Sequence, residues 1–109
     1  MPERRRFHRW PLELSVYLVS ERGTWPARTV DLSWGGVALT APACPAEGEE
    51  IILQFEEDPT LVFKARIVYR QLLQDRPEGH AVGVEFYGTP ESKRTQLLPL
   101  FRRFLGNAR

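Results

Sequence analysis

The sequence predicts an all-β core: a small antiparallel barrel or sandwich of six short strands, followed by a C-terminal helix. Three observations lead there. Apolar and polar residues alternate with period two in several stretches. Turn-forming residues separate those stretches at short intervals. The C-terminal segment then changes period, with Leu97, Phe101, Phe104 and Leu105 at helical spacing. With 109 residues the chain can enclose one hydrophobic core but not two, so residues 1–109 read as a single domain.

The elements follow in order. Residues 1–11 read as a flexible basic arm and residues 12–87 as the β core. Leu12, Leu14, Val16 and Leu18 alternate with Glu13, Ser15, Tyr17 and Val19, the pattern of a half-buried strand. Ser20 to Gly23 make a turn, and Trp25 to Val30 a second strand, despite Pro26 near its start. Asp31-Leu32-Ser33-Trp34-Gly35-Gly36 breaks the pattern before Val37 to Leu39 resume it, and Pro42 to Gly48 form a loop. Ile51, Leu53 and Phe55 form the inward face of a fourth strand. In the long run Leu61–Leu73, Phe63, Ala65, Ile67 and Tyr69 oppose Lys64, Arg66, Val68 and Arg70. Val82, Val84 and Phe86 line the last strand, His80 to Phe86. A closed sheet would remove the edges that a small open one exposes. The helix is expected over 89–106, with Thr89 as cap, Pro90 at its first position and Gly106 as stop. Pro99 lacks an N–H, so a kink or restart is expected there. The apolar stripe is expected to lie against the barrel or plug one end.

Composition excludes several classes. Apolar residues make up 42% and charged residues 27%, an ordinary globular balance. No apolar run reaches the ~18 residues that a bilayer-spanning helix needs, and the arginine-rich N-terminus lacks the apolar segment of a signal peptide. The chain therefore reads as soluble and cytoplasmic, without membrane insertion. Cys44 is the only cysteine, which excludes an internal disulfide and a cysteine-based metal cluster; it reads as a surface or half-buried thiol. The two histidines form no metal-binding or catalytic motif, and the paired acids lie in or beside turns, so neither an enzyme nor a metal site is expected. The net charge of +1 is unevenly spread: residues 1–9 carry a formal +3, the remainder −2. Of the 15 basic residues 13 are arginine, whose planar fork suits phosphates and guanine edges. A local anion site fits this distribution better than a nucleic-acid-coating surface, so no DNA partner is expected.

Two motifs stand out together. Arg5 and Arg9 form an RxxxR pattern at the entry to the first strand, directly preceded by Arg4. Asp31, Ser33 and Gly36 form a DxSxxG pattern between two strands. In this order, one strand and a turn apart, and followed by the closing strand Val82-Gly83-Val84-Glu85-Phe86, they resemble the PilZ domain family, receptors for the bacterial second messenger cyclic di-GMP. The resemblance covers nearly the whole chain. It implies a six-stranded antiparallel β-barrel with a C-terminal α-helix and assigns the ligand-binding residues to Arg4, Arg5, Arg9, Asp31, Ser33, Gly35 and Gly36.

The chemistry agrees with that assignment. Arginine bonds both guanine acceptors or two phosphate oxygens at once. A carboxylate such as Asp31 can accept guanine's two adjacent donors, and Ser33 carries a small hydroxyl able to reach a phosphate or base. Gly36 permits close backbone approach. Trp34 is the stacking candidate, with packing over the barrel end as its other reading. Arg4 resembles the family versions that take two intercalated ligands, so two cyclic di-GMP molecules per chain are expected. The implied function is a cyclic di-GMP receptor that changes conformation and signals to an unidentified output protein. The alternative is a PilZ-like protein–protein adaptor that does not bind the nucleotide. A small barrel that binds single-stranded nucleic acid is a third reading, but no basic groove supports it outside residues 1–9.

Overall fold

The computed structural model of the chain describes residues 8–77 and 79–106. Seven strands and one helix follow in order: β1 (Trp10–Pro11), β2 (Ser15–Ser20), β3 (Gly23–Leu32), β4 (Gly36–Ala41), β5 (Glu50–Phe55), β6 (Val62–Leu72), β7 (His80–Phe86) and α1 (Pro90–Leu105). All pairings are antiparallel. The order β3-β2-β5-β6-β7-β4 closes through β3–β4 into a six-stranded barrel, with β1 as one extra strand on β3. The six expected strands and the helix are all present. The alternation read from the sequence is the alternation of burial: Val16 and Leu18, Ile51, Leu53 and Phe55, and Val82, Val84 and Phe86 all face the interior.

Several features differ from the sequence expectation. First, the arm expected over residues 1–11 is part of the sheet at its end: Trp10 pairs with Leu32 and Pro11 with Asp31. Proline is tolerated there because an edge strand needs no donor on its outer side. Second, Asp31 belongs to a strand rather than to a break, because β3 continues to Leu32. Third, the helix runs unbroken through Pro99. Leu97 and Leu100 are fully buried on either side of the proline, and Phe101 nearly so, so packing holds the turn together. The exposed position of Thr95 lets water satisfy the carbonyl that proline leaves without a donor. Cys44, expected at or near the surface, is buried.

Helix α1 plugs the barrel end where the β3–β4 and β5–β6 turns lie. Thr89 caps it, its hydroxyl accepting from the Ser92 N–H at 3.2 Å. Phe104 stacks on Phe55 with centroids 5.4 Å apart. Arg103 reaches Glu57 at 3.6 Å and Asp58 at 3.7 Å in the β5–β6 turn. Both are exposed pairs, so the buried leucines and phenylalanines contribute most of the attachment.

Between β1 and β2, residues 12–14 leave the regular ladder, and Thr29 fills the break. Its side chain accepts from the Leu14 N–H at 2.8 Å and donates to the Leu12 carbonyl. It is one of two buried polar residues among those described, at 2% exposure. The backbone helps on both sides, with Leu12 N–H donating to Val30 and Thr29 N–H to Leu14. Thr29→Val keeps the shape but leaves the partly buried Leu14 N–H and Leu12 carbonyl without this partner. It should cost about 1–3 kcal/mol in urea unfolding, while Thr29→Ser should retain most of the parent stability. Equal stability of the valine variant would contradict this role.

Candidate functional site

Two β-bulges decide which side chains the outer barrel face presents. In β3 the register with β4 shifts between Thr29 and Asp31, leaving Val30 unpaired. In β6 the register with β7 shifts between Ile67 and Tyr69, leaving Val68 unpaired. Each extra residue reverses the phase of the strand beyond it. Asp31, which would follow Thr29 inward, faces out opposite Ala38. Tyr69, expected to face inward with Phe63, Ala65 and Ile67, instead lies opposite Gly83 on the outer face.

A row of four residues results, one per strand: Asp31 on β3, Ala38 on β4, Gly83 on β7 and Tyr69 on β6. Three strand spacings separate its ends, roughly 14 Å along the surface. The middle of the row is a floor of Ala38 and Gly83, which carry no bulky side chain of their own. Tyr69 lies over Gly83 so closely that a Cβ there would meet its ring. Ala38, Gly83 and Tyr69 line an open groove of about 730 Å³, which also touches Arg9, Ser33, Gly36 and Gln71, and Asp31 joins it through Arg9. That volume falls within the ~300–1,000 Å³ typical of small-molecule sites.

The β1–β3 register brings Arg9 beside the Asp31 end. Its guanidinium donates to the Asp31 carboxylate at 3.0 Å. The two side chains retain 45% and 22% exposure, so the pair is accessible and contributes little to stability. On the neighbouring row Arg66 donates to Glu85 at 2.8 Å. That hydrogen bond, with the carboxylate's charge, holds the Arg66 guanidinium above its ordinary pKa. Beyond the tyrosine, Arg70 donates to the carbonyls of Cys44 at 2.9 Å and Pro45 at 3.4 Å, pinning the β4–β5 loop.

The 31–36 turn is organised from within. The Ser33 hydroxyl accepts from the N–H groups of Gly35 and Gly36, each at 3.2 Å, and donates to the Gly36 carbonyl at 3.3 Å. Ser33 is 7% exposed, and its hydroxyl is thus engaged in turn geometry. The Gly35 carbonyl accepts from the Phe86 N–H at 3.0 Å, tying the turn to the end of β7. At Gly36 a Cβ would collide with the Val84 carbonyl, so the barrel's own closure requires glycine at this position. Trp34 stacks on Phe101 of the helix at 4.0 Å, with the Arg94 guanidinium 5.3 Å from its ring centre.

The structure thus brings together Arg9, Asp31, Ser33, Gly35 and Gly36, and turns Trp34 toward the helix. Arg4 and Arg5 lie outside the described residues. Sequence reasoning gives no role to Ala38, Gly83 or Tyr69. Two signals for them exist: a glycine inside an otherwise apolar strand, and the adjacent apolar pair Ile67-Val68, which interrupts strict alternation. Among the described residues no group of three or more His, Cys, Asp or Glu side chains could hold a metal ion, and no helix is long and apolar enough to cross a membrane.

Comparison with known proteins gives a consistent picture. The PilZ domain family model matches residues 3–103. No curated protein matches the chain. Among solved structures, Escherichia coli YcgR in complex with c-di-GMP aligns with a TM-score of 0.63 at 21% identity, over 92% of this chain and 46% of that one. The Bacillus subtilis inhibitor of motility MotI/DgrA aligns at 0.62 and 18% identity, over 96% of this chain and 53% of that one. The PilZ domain of CeSA from a cellulose-synthesizing bacterium aligns at 0.59 and 20% identity, over 91% of this chain and 96% of that one. This chain spans about half the length of the first two.

The two glycines on the groove should respond differently to one added methyl group. Gly36→Ala meets backbone and should lower stability by about 1–3 kcal/mol. Gly83→Ala meets the movable Tyr69 ring and should cost less while displacing that ring from the floor. Thermal unfolding with tyrosine NMR shifts distinguishes the two; equal tolerance would contradict the close approach at Gly36.

Proposed function

Because the chain belongs to the PilZ domain family, we propose that it is a cyclic di-GMP receptor that binds the nucleotide across the Asp31–Tyr69 row, changes conformation and signals to a partner protein. PilZ domains are receptor and adaptor domains rather than enzymes, and no catalytic step is proposed for this one. The same reading makes it a bacterial, cytoplasmic protein. One observation carries the proposal: the arm arginine and the motif carboxylate meet at the end of a shallow floor made by Ala38 and by the Tyr69 ring that covers Gly83. A flat purine can lie over Ala38 and against the Tyr69 ring, while its edge and phosphates meet Asp31 and the arginines. YcgR, which shares the fold, is a complex with c-di-GMP.

Magnitudes favour ligand over the free arrangement. The exposed Arg9–Asp31 pair contributes about 0–1 kcal/mol. A charge-assisted hydrogen bond to the ligand contributes about 1.5–3 kcal/mol. The nucleotide can therefore take over either partner at small cost. Asp31 can keep Arg9 on one oxygen or turn both oxygens to the guanine donors. Arg5 and Arg9 clamp phosphates or guanine edges, and Gly35 and Gly36 let the ligand approach the turn. Ser33 contributes by holding those two backbone N–H groups in place. The adaptor reading draws on a different observation: Ser33 and Gly36 have sufficient reasons in the fold itself. A ligand-free member would need them too.

Calorimetry with cyclic di-GMP separates the two readings. The protein should bind it and discriminate against GMP and GTP. Arg9→Ala should weaken binding at least several-fold without unfolding the barrel. Asp31→Ala should lose more affinity for cyclic di-GMP than for cyclic di-AMP, whose corresponding edge lacks two adjacent donors. A folded protein that ignores cyclic di-GMP favours the adaptor, and unchanged affinity in Arg5→Ala/Arg9→Ala removes the arginines from the site.

Stoichiometry is a separate expectation. Two stacked ligands concentrate four phosphate charges, and Arg4 adds one more cation where that charge gathers. Two molecules per chain should bind, falling toward one in Arg4→Leu. Affinity should drop as salt rises. Saturation of the parent protein at one ligand would overturn the pairing but not the receptor.

A further inference from the structure

Phe101 touches both segments that bring Arg9 and Ser33 to the groove. Trp34, from the β3–β4 turn, stacks on one face of its ring at 4.0 Å and 10°. Trp10, next to Arg9, meets it edge-on at 5.2 Å and 87°. His8 in turn lies edge-on to Trp10 at 4.6 Å. The backbones of α1 and the strands make few close approaches, so the helix is held by side chains, and these rings are a large part of the hold. Packing is incomplete at that point. A notch of about 270 Å³ opens against Trp10, Trp34, Leu98, Phe101 and Leu105. Incomplete packing leaves room for a second arrangement of the rings.

We infer that Phe101 is a positioning residue that couples α1 to the Arg9 strand and the Asp31–Gly36 turn, so that occupancy of the groove alters the stability of the helix. Nothing in this contact requires Phe101 to touch ligand. Its ring fixes the two tryptophans, and each tryptophan is adjacent in sequence to groove residues: Trp10 to Arg9, Trp34 to Ser33 and Gly35. A ligand that rearranges the Arg9–Asp31 pair must move or brace those neighbours. The rings pass that change to a helix whose other contacts, at Leu97, Leu100 and Phe104, lie on the same apolar face as Phe101. Linkage runs both ways: a force applied to α1 changes ligand affinity by the same factor. The ligand half of this inference rests on the proposed receptor function; the coupling itself does not.

Amide hydrogen exchange tests it in two arms. In the free protein, Phe101→Leu should speed exchange of residues 8–11 and 31–36 by roughly 2- to 10-fold, the range of one aromatic pair, while β5 stays as protected as in the parent. Phe101→Tyr, which keeps the ring, should restore the parent rates. Unchanged rates in folded Phe101→Leu overturn the coupling. If that variant fails to fold, Trp34→Leu approaches from the turn and should speed exchange along 94–105; unchanged helix rates there overturn it equally. In the second arm, saturating cyclic di-GMP should change exchange along α1 in the parent, and binding that leaves α1 unchanged overturns the inference. A protein that does not bind cyclic di-GMP refutes the receptor reading, and the free-protein arm then decides the coupling on its own.

Discussion

The candidate site depends on one short stretch of antiparallel pairing, Trp10–Pro11 on Asp31–Leu32. Two paired residues make a weak ladder alone, since a strand of that length has little of its own to hold it. Thr29 makes it hold. Its hydroxyl serves as donor and acceptor where the chain steps off the ladder between β1 and β2, so both strands remain registered on β3. With that register fixed, Arg9 stands beside Asp31 and Trp10 stands beside Phe101. The ion pair then adds little energy but much placement, as expected for an exposed pair. The arm is positioned by backbone and core, and the charges are left accessible for exchange with a ligand.

Much of the barrel was legible in the sequence because its strands are half-buried, and half-buried strands alternate. The turns at 20–23, 56–59 and 74–79 and the helix cap at Thr89 were legible for similarly local reasons. What was not legible has one physical cause: pairing partners far apart in sequence. Nothing near Trp10 or Pro11 says that Leu32 lies opposite. Near Tyr69 only the adjacent apolar pair Ile67-Val68 hints that β6 carries an extra residue, and its register on β7 is written nowhere nearby, so plain alternation places the tyrosine in the core. The helix shows the same limit. Pro99 argues locally for a break, and the burial of Leu97 and Leu100 against the barrel end overrides it. The arginine and DxSxxG motifs were readable as strings. That Ser33 spends its hydroxyl on the turn, and that Gly36 yields to the Val84 carbonyl, required the neighbouring strand.

The motif therefore does two jobs with the same atoms. Ser33 and the glycines shape a turn that holds backbone N–H groups in place and lets β4 approach β7 closely. Asp31 and Arg9 carry the charge. Trp34, in the middle of the motif, faces away from the groove and into the helix contact. A turn that must satisfy barrel closure, groove shape and helix docking has few free positions, which explains how dense in specific residue types the segment is.

The paired bulges also separate what the barrel shows from what it hides. Each inserts a single residue, Val30 or Val68, and each reverses the outlook of the side chains beyond it without changing which residues of the adjoining strands point inward. In terms of descent, a one-residue insertion or deletion on these two strands is a lever of unusual economy. It exchanges the outward and inward side chains of the bulged strand together, as with Asp31 and Leu32, so a new ligand face is reached only where the core accepts the residue that turns in.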